Sequence, residues 1–277
     1  MSGIALCGSL SRWAVPLGAA MHNAGYRALG LDWHYVPFEI DEGGLGAAVA
    51  AMRALGLRGL GISMPFKLGV LALVDALDPR AARIGAVNTI VNDGGRLTGH
   101  NTDWLGAVRA LEESRPIAGV RALVLGAGGA ARAVAFGLGE RGAKVTLCNR
   151  TLERAEALAR ELGARAIPWR ERNRGEHEVV VNASSLGMTA IDPASPLDPV
   201  GARAGMTVMD IVYKPLETEL IRAARSSGAT VIHGGRMLLH QAAAQFELYT
   251  GRPAPLEAMD AGLRAAMAGE AESARKT

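Results

Sequence analysis

The chain is 277 residues long and 49% hydrophobic, with 30 Lys and Arg against 27 Asp and Glu and a formal net charge of +3. That is room for two modest domains or one large one, and the scattered basic residues leave no patch that would make nucleic acid a partner. No apolar run reaches the ~18 residues of a membrane span, and the N-terminus lacks a charged leader and an apolar core of signal length, so a cytoplasmic protein with no membrane partner is expected.

Ile4 to Cys7 is a short apolar run followed by Gly8-Ser9, which predicts a first strand, a loop over Leu10 to Gly18 and a helix through Tyr26. Trp33 to Phe38 alternates as a strand does, and Leu45 to Leu55 has helical spacing. Gly59 to Ser63 reads as a third strand, which Pro65 stops because it has no backbone donor. A helix to Leu77, the segment Ile84 to Val91, a turn over Asn92 to Gly95 and the stretch Leu97 to Asp103 complete the first part. Strands alternating with helices imply a mainly parallel sheet covered on both faces.

Trp104 to Glu113 reads as helix, and Ser114-Arg115-Pro116 punctuates it before a second α/β part. Strands are expected at Ala122–Leu125, Lys144–Cys148, His177–Asn182, Thr207–Val212 and Thr230–His233, with a Pro- and Asp-rich loop from Asp192 to Pro199. An amphipathic helix, Met237 to Tyr249, returns to the first part, and the polar tail Glu270 to Thr277 is expected to fray. The organisation is thus α/β in two domains. Residues 1–104 plus 237–277 form a substrate domain, and residues 105–236 form a Rossmann-type domain. Cys7 and Cys148 lie in apolar strand-like runs and read as buried free thiols of a reducing compartment. The six histidines form no metal-spaced cluster, so no metal is expected.

Chemistry enters at Arg121 to Arg154. The apolar run Ala122 to Leu125 leads at once into Gly126-Ala127-Gly128-Gly129-Ala130, the pattern of a strand, a tight turn and a helix start. Such a turn points bare N–H groups and the positive end of a helix dipole at an anion, and its glycines let a pyrophosphate approach. About 20 residues on, an NAD site carries a ribose-binding carboxylate. Here Asn149, Arg150 and Thr151 stand at the end of the next strand, with Arg154 one helical turn past Thr151 as N-cap. Two guanidinium groups suit a 2′-phosphate by paired hydrogen bonds, so NADP is expected as the cofactor.

At Ser63-Met-Pro-Phe-Lys67, Ala86-Val-Asn-Thr89 and Asn101-Thr-Asp103 the chain resembles the shikimate dehydrogenase family, most closely its shikimate-dehydrogenase-like branch. The resemblance spans nearly the whole chain, because Gly126-Ala-Gly-Gly-Ala, Asn149-Arg-Thr, Asn182-Ala-Ser-Ser-Leu-Gly-Met188, Asp210-Ile-Val-Tyr213 and Gln241-Ala-Ala follow in the family's order. It implies Lys67 and Asp103 as the catalytic pair and Ser63, Asn88, Tyr213 and Gln241 as substrate-binding residues. On the cofactor side it adds Ser184 and Gly235 to the loop and the basic strand end. The implied activity is NADP-dependent, reversible oxidation of shikimate, quinate or a related cyclic hydroxy acid to its 3-dehydro keto acid, in a monomer or homodimer. The alternative is an NADP-binding regulatory or interaction protein of the same fold whose catalysis is lost or altered.

Chemistry supports the pair independently. Oxidising a secondary alcohol needs a hydride acceptor and a group that takes the hydroxyl proton. Lys67 and Asp103 both follow strand ends, the edge of an open sheet where ligands bind. One departure from the family concerns the substrate carboxylate. The two serine positions that hold it fall here on Pro16 and Gly18, which offer no hydroxyl. Ser9 and Ser11 upstream are the candidate substitutes, with Arg12 a further one, unless the site takes a different ring acid. His100 is a candidate pocket-lining residue or an ordinary loop histidine. On the last helix the stripe Leu238, Gln241, Ala242, Gln245, Phe246 reads as packing, with Gln241 its one functional polar residue.

Overall fold

Apolar residues four apart, Leu17, Met21 and Gly25, give the first helix its buried face. The apolar runs between glycines and prolines become strands, each too short for a helix. The computed structural model describes residues 4–174, 176–198 and 201–274. In chain order the elements are β1 (Ala5–Ser11), α1 (Leu17–Ala28), β2 (Trp33–Glu39), α2 (Leu45–Ala54), β3 (Gly59–Ile62), β4 (Ala76–Leu77), α3 (Pro79–Ile84), β5 (Thr89–Asp93) and β6 (Arg96–His100). Next come α4 (Asp103–Glu112), β7 (Arg121–Leu125), α5 (Gly129–Glu140), β8 (Lys144–Asn149), α6 (Leu152–Leu162) and β9 (Arg165–Pro168). The chain continues with β10 (Val179–Asn182), β11 (Thr207–Asp210), α7 (Glu219–Ser226), β12 (Thr230–Ile232), α8 (Gly234–Thr250) and α9 (Leu256–Ala274). The chain divides into two units, Met1–Thr102 with Gln241–Thr277, and Asp103–His240. No helix among the described residues is long and apolar enough to cross a membrane.

The first unit holds a sheet ordered β2-β1-β3-β5-β6-β4. Its pairs are parallel except β3–β5 and β5–β6, which are antiparallel. β5 and β6 are joined by Gly94-Gly95, both at positive φ, and the Asn92 side chain accepts from Gly95 N at 2.8 Å, which fixes the turn. Pairing puts Cys7, Ser9 and Ser11 on one face with Tyr35, Gly59, Gly61 and Thr89. Leu10, Leu60, Ile62, Ile90 and Leu97 face the other way, into a core with Val49, Met52 and Val70. A Cβ at Gly59 would come within 2.2 Å of the Tyr249 ring, so that strand must be bare where α8 crosses it.

Three local expectations are corrected. β1 does not stop at Gly8-Ser9 but pairs with β2 through Ser11↔Glu39, so Ser9 and Ser11 are strand residues rather than loop residues. Gly8 serves that pairing, since a Cβ there would lie 2.5 Å from Val36 O. Beyond Lys67 the chain makes a short 3-10 turn, Gly69–Leu73, and then β4 instead of one helix to Leu77. The cause is Asp75, whose carboxylate accepts from Leu97 N at 2.7 Å while its own N–H donates to Leu97 O at 2.9 Å, tying the chain to β6. α9 replaces the loose C-terminal end as far as residue 274, while residues 275–277 of the expected tail and Pro199 of the expected loop lie outside the described residues.

The second unit has a wholly parallel sheet in the order β12-β11-β10-β7-β8-β9. Chain order reverses between β7 and β10, the switch point where open α/β sheets bind ligands. Ala- and Val-rich α4 and α5 cover one face with Val108, Leu111, Val134 and Leu138 in the core, while Leu123, Leu125, Val208 and Leu220 fill the other. Both cysteines are buried free thiols, one in each unit, with pKa values pushed up to about 11 chiefly by burial.

Candidate functional site

In the first unit a polar cluster sits at the end of β3 and β5, among otherwise apolar neighbours. Asn88 is 2% exposed, and its carbonyl accepts from Ile62 N at 2.7 Å, which anchors it to the end of β3. Its Oδ1 accepts from Thr102 N at 2.7 Å and from Thr89 Oγ1 at 2.7 Å. Its Nδ2 donates to Thr102 Oγ1 at 3.0 Å and reaches Gln241 Oε1 at 3.4 Å. Asn88 and Gln241, assigned separately in the sequence, thus meet. Lys67 is brought beside them through the backbone, because its carbonyl accepts from Val87 N at 2.9 Å. Ser63 N donates to Leu10 O at 2.9 Å, so Ser63 continues β3 next to the end of β1.

The two proposed substitute serines have different surroundings. Ser9 shares a hydrogen bond with the buried Tyr35 hydroxyl, and its Cβ lies 3.6 Å from where a Cβ of Gly61 would stand. Ser11 donates its hydroxyl hydrogen to Trp13 O at 2.7 Å, which leaves it an acceptor toward any ligand. Arg12 pairs with Glu42 at 3.2 Å in an open cleft of about 640 Å³ that Glu39 and Asp41 also line. His100 is half-buried, and burial lowers its pKa. Gln245, read from sequence as packing, is 4% exposed and donates to Asn88 O and Thr89 Oγ1. The signal available was a second glutamine four residues after Gln241 on the same apolar stripe.

In the second unit the glycine turn follows β7 at the switch point. Gly126 has φ +121, and a Cβ there would come 2.8 Å from Ala183 O, so only glycine allows the two loops to run side by side. Gly128 is the N-cap of α5 and supplies no capping side chain, and a Cβ there would meet nothing within 4 Å. Gly129 and Ala130 begin the first turn of α5, where backbone N–H groups have no partner within the helix, with Ala127 in the turn before them, as a pyrophosphate site requires. At the end of β8 the Asn149 side chain donates to Thr151 O at 3.0 Å, turning the chain so that Arg150 and Arg154 are exposed. Thr151 occupies the N-cap position of α6 without a side-chain cap bond. The donors and the basic strand end fit a dinucleotide with a 2′-phosphate.

Ser184 Oγ donates to Asn182 Oδ1 at 2.7 Å, and Asn182 Nδ2 donates to Asp210 at 2.9 Å. Asp210 also accepts from Val212 N at 3.0 Å and Thr218 Oγ1 at 2.7 Å, which fixes the chain just before Tyr213. Gly234 and Gly235 open α8, where a Cβ at Gly234 would lie 2.5 Å from Ile211 O. Asp103 is 4% exposed and begins α4, where a carboxylate suits the helix dipole.

A parallel six-stranded sheet that reverses at a glycine turn, joined in sequence to a second α/β unit with a buried polar cluster, defines a dinucleotide-dependent oxidoreductase with a separate substrate unit. Family models match the chain as the shikimate dehydrogenase substrate binding domain at residues 15–90, shikimate / quinate 5-dehydrogenase at 109–210 and the shikimate 5'-dehydrogenase C-terminal domain at 234–263. Shikimate dehydrogenase (NADP(+)) of Moorella thermoacetica is 46% identical over 91% of this chain and 89% of its own length, and that of Geobacillus kaustophilus is 42% identical over 85% and 88%. Among solved structures, shikimate 5-dehydrogenase from Thermus thermophilus in complex with NADP(H) and shikimate has a TM-score of 0.89 at 39% identity, covering 95% of this chain and 100% of that one. The chain belongs to the shikimate dehydrogenase family.

Proposed function

We propose that the chain catalyses reversible hydride transfer between shikimate, or quinate or a related cyclic hydroxy acid, and its 3-dehydro keto acid, with NADP as cofactor. The observation that carries the reading is the cluster of buried Asn88 and Thr102 with half-buried Gln241 beside the Lys67 backbone, in a chain with an uncapped glycine turn and a basic strand end. When bound, NADP supplies the hydride acceptor for the alcohol and, reduced, the donor for the ketone. Gly126 to Ala130 receive its pyrophosphate, Asn149 to Thr151 with Arg154 its adenosine end, and Ser184 and Gly235 lie on its path.

The chain's own groups bind, orient and move a proton. Asn88, Gln241, Ser63 and Tyr213 hold ring hydroxyls, and Ser9 and Ser11 take over from the serines replaced by Pro16 and Gly18. Lys67 and Asp103 act as one pair that takes the hydroxyl proton during oxidation and returns it during reduction. Thr102 N bonded to Asn88 fixes the residue just before Asp103. The substrate domain is taken as residues 1–104 plus 237–277 and the cofactor domain as 105–236. All assigned groups come from one chain, which suits a monomer or a homodimer, and two buried free thiols suit the cytoplasm.

The test is NADPH formation with shikimate and with quinate by the wild-type chain and by Lys67→Ala. Loss of the proton-transfer group is expected to lower kcat by about 100-fold or more with the NADP affinity retained. Turnover within about tenfold of wild type would remove Lys67 from that role.

A further inference from the structure

We infer that His22, Gln245 and Thr89 form a chain of hydrogen bonds with one fixed direction that orients the Asn88 amide, so that Asn88 meets the substrate with an N–H donor and Gln245 and Thr89 are positioning residues. The inference rests on Asn88 belonging to the substrate site. Its members are all in the first unit and all buried, with His22 and Thr89 at 0% and Gln245 at 4% exposure.

The direction follows from one atom that cannot change roles. A backbone N–H only donates, and Thr102 N lies 2.7 Å from the Asn88 side chain, so the atom it meets is the amide oxygen. Thr89 Oγ1 is 2.7 Å from the same oxygen and must donate to it. Having spent its single hydrogen, the Thr89 hydroxyl accepts, and the Gln245 atom 3.0 Å away is therefore the amide nitrogen. That nitrogen places its second hydrogen on Asn88 O at 3.2 Å. Gln245 Oε1 then faces His22 Nε2 at 3.4 Å, which carries the imidazole proton.

The far end of the chain is consistent. Burial lowers the His22 pKa to about 3, so the ring is neutral and holds one proton. Among the described residues its Nδ1 has no hydrogen-bond partner, and with the proton on Nε2 the unbonded atom is an acceptor rather than a buried N–H. The ring is fixed by stacking on Tyr35, with centroids 4.3 Å apart and planes within 2°. Turning the Asn88 amide over would set an NH2 group against the N–H of Thr102 and force Thr89, Gln245 and His22 to reverse in sequence. Nothing can reverse the backbone N–H. Both Nδ2 hydrogens already have acceptors, Thr102 Oγ1 at 3.0 Å and Gln241 Oε1 at 3.4 Å, so the substrate oxygen at Asn88 is an acceptor that takes over the longer of the two, a hydroxyl lone pair, carbonyl or alkoxide, and the amide is oriented before it arrives.

Steady-state kinetics with shikimate and NADP, together with NADP affinity and thermal midpoints, test this in the full chain. Thr89→Val keeps the shape and removes the hydroxyl, and Gln245→Met removes the donor behind it. Each is expected to raise the KM for shikimate by about tenfold, the loss of one buried hydrogen bond, with NADP affinity unchanged. Thr89→Ser restores the hydroxyl and is expected to bring KM back within about threefold of wild type. Where Thr89→Val fails to fold, Thr89→Ala replaces it with the same expectation. An unchanged KM in the Thr89 and Gln245 variants, alongside a raised KM in Asn88→Ala, overturns the inference and leaves the substrate site standing. An unchanged KM in Asn88→Ala overturns both.

Discussion

Asp210 shows how a single buried carboxylate can set a pH dependence of the fold. It is fully buried, and burial pushes its pKa up to about 6 even though Thr218, Val212 N and Asn182 all donate to it. Because the folded value lies above 3.8, the native state holds the proton more tightly than the unfolded chain does. Stability from this group is full below pH ~4 and is lost as pH rises through about 6, on the order of 3 kcal/mol in all. Asp210→Asn removes the titration while keeping three contacts, since the amide nitrogen can donate to the Thr218 hydroxyl in place of accepting from it. Urea midpoints of wild type and Asp210→Asn are expected to diverge as pH rises from about 4 to 6 and to run parallel above that window. Parallel curves throughout would mean that hydrogen bonding offsets the burial.

At the scale of elements, the fit of α9 against α1 turns on one missing side chain. A Cβ at Gly262 would come 2.6 Å from Ala20 O and 2.9 Å from the Ala24 side chain, so the two helices pack nearly backbone to backbone. Gly262→Val is expected to cost about 1–3 kcal/mol in urea unfolding. Gly269, whose Cβ would meet nothing within 4 Å, provides the contrast: Gly269→Ala should add about 0.5–1 kcal/mol through helix propensity. Gly262 also marks the limit of what could be read in advance. Strands such as β3, β7 and β8 are bounded by glycine or proline and carry their own apolar pattern, so they are legible, and so is the glycine turn before α5. α9 and β4 are held by distant partners, α1 and β6, which no local spacing reveals. The same distinction runs through the site. Asn88 and Gln241 are read through their motifs, whereas Gln245 looks like one more packing residue until α8 lies across β5, because Asn88 is 157 positions away in sequence.

At the scale of the whole chain, the two units differ in how they are assembled. Residues of the second unit are continuous, Asp103–His240, and each face of its sheet has its own core. The first unit is discontinuous. The sheet face bearing Ser9, Gly59 and Gly61 is completed by residues after Gln241, with Phe246 stacked on Tyr26 at 5.2 Å and the Tyr249 ring tilted against His22 at 5.8 Å. A chain ending at His240 therefore keeps everything that builds the second unit and strips the first of the side chains that cover its sheet. The buried thiols report the outcome separately, since Cys7 lies on the uncovered face and Cys148 in the parallel sheet of the second unit. In the shortened chain Cys7 is expected to react with a thiol reagent at about the rate of an unfolded peptide, while Cys148 stays protected by at least about tenfold and NADP still binds. Equal exposure of both thiols would show that the second unit depends on the first for its stability, and continued protection of Cys7 would show that β1 to β6 need no C-terminal cover.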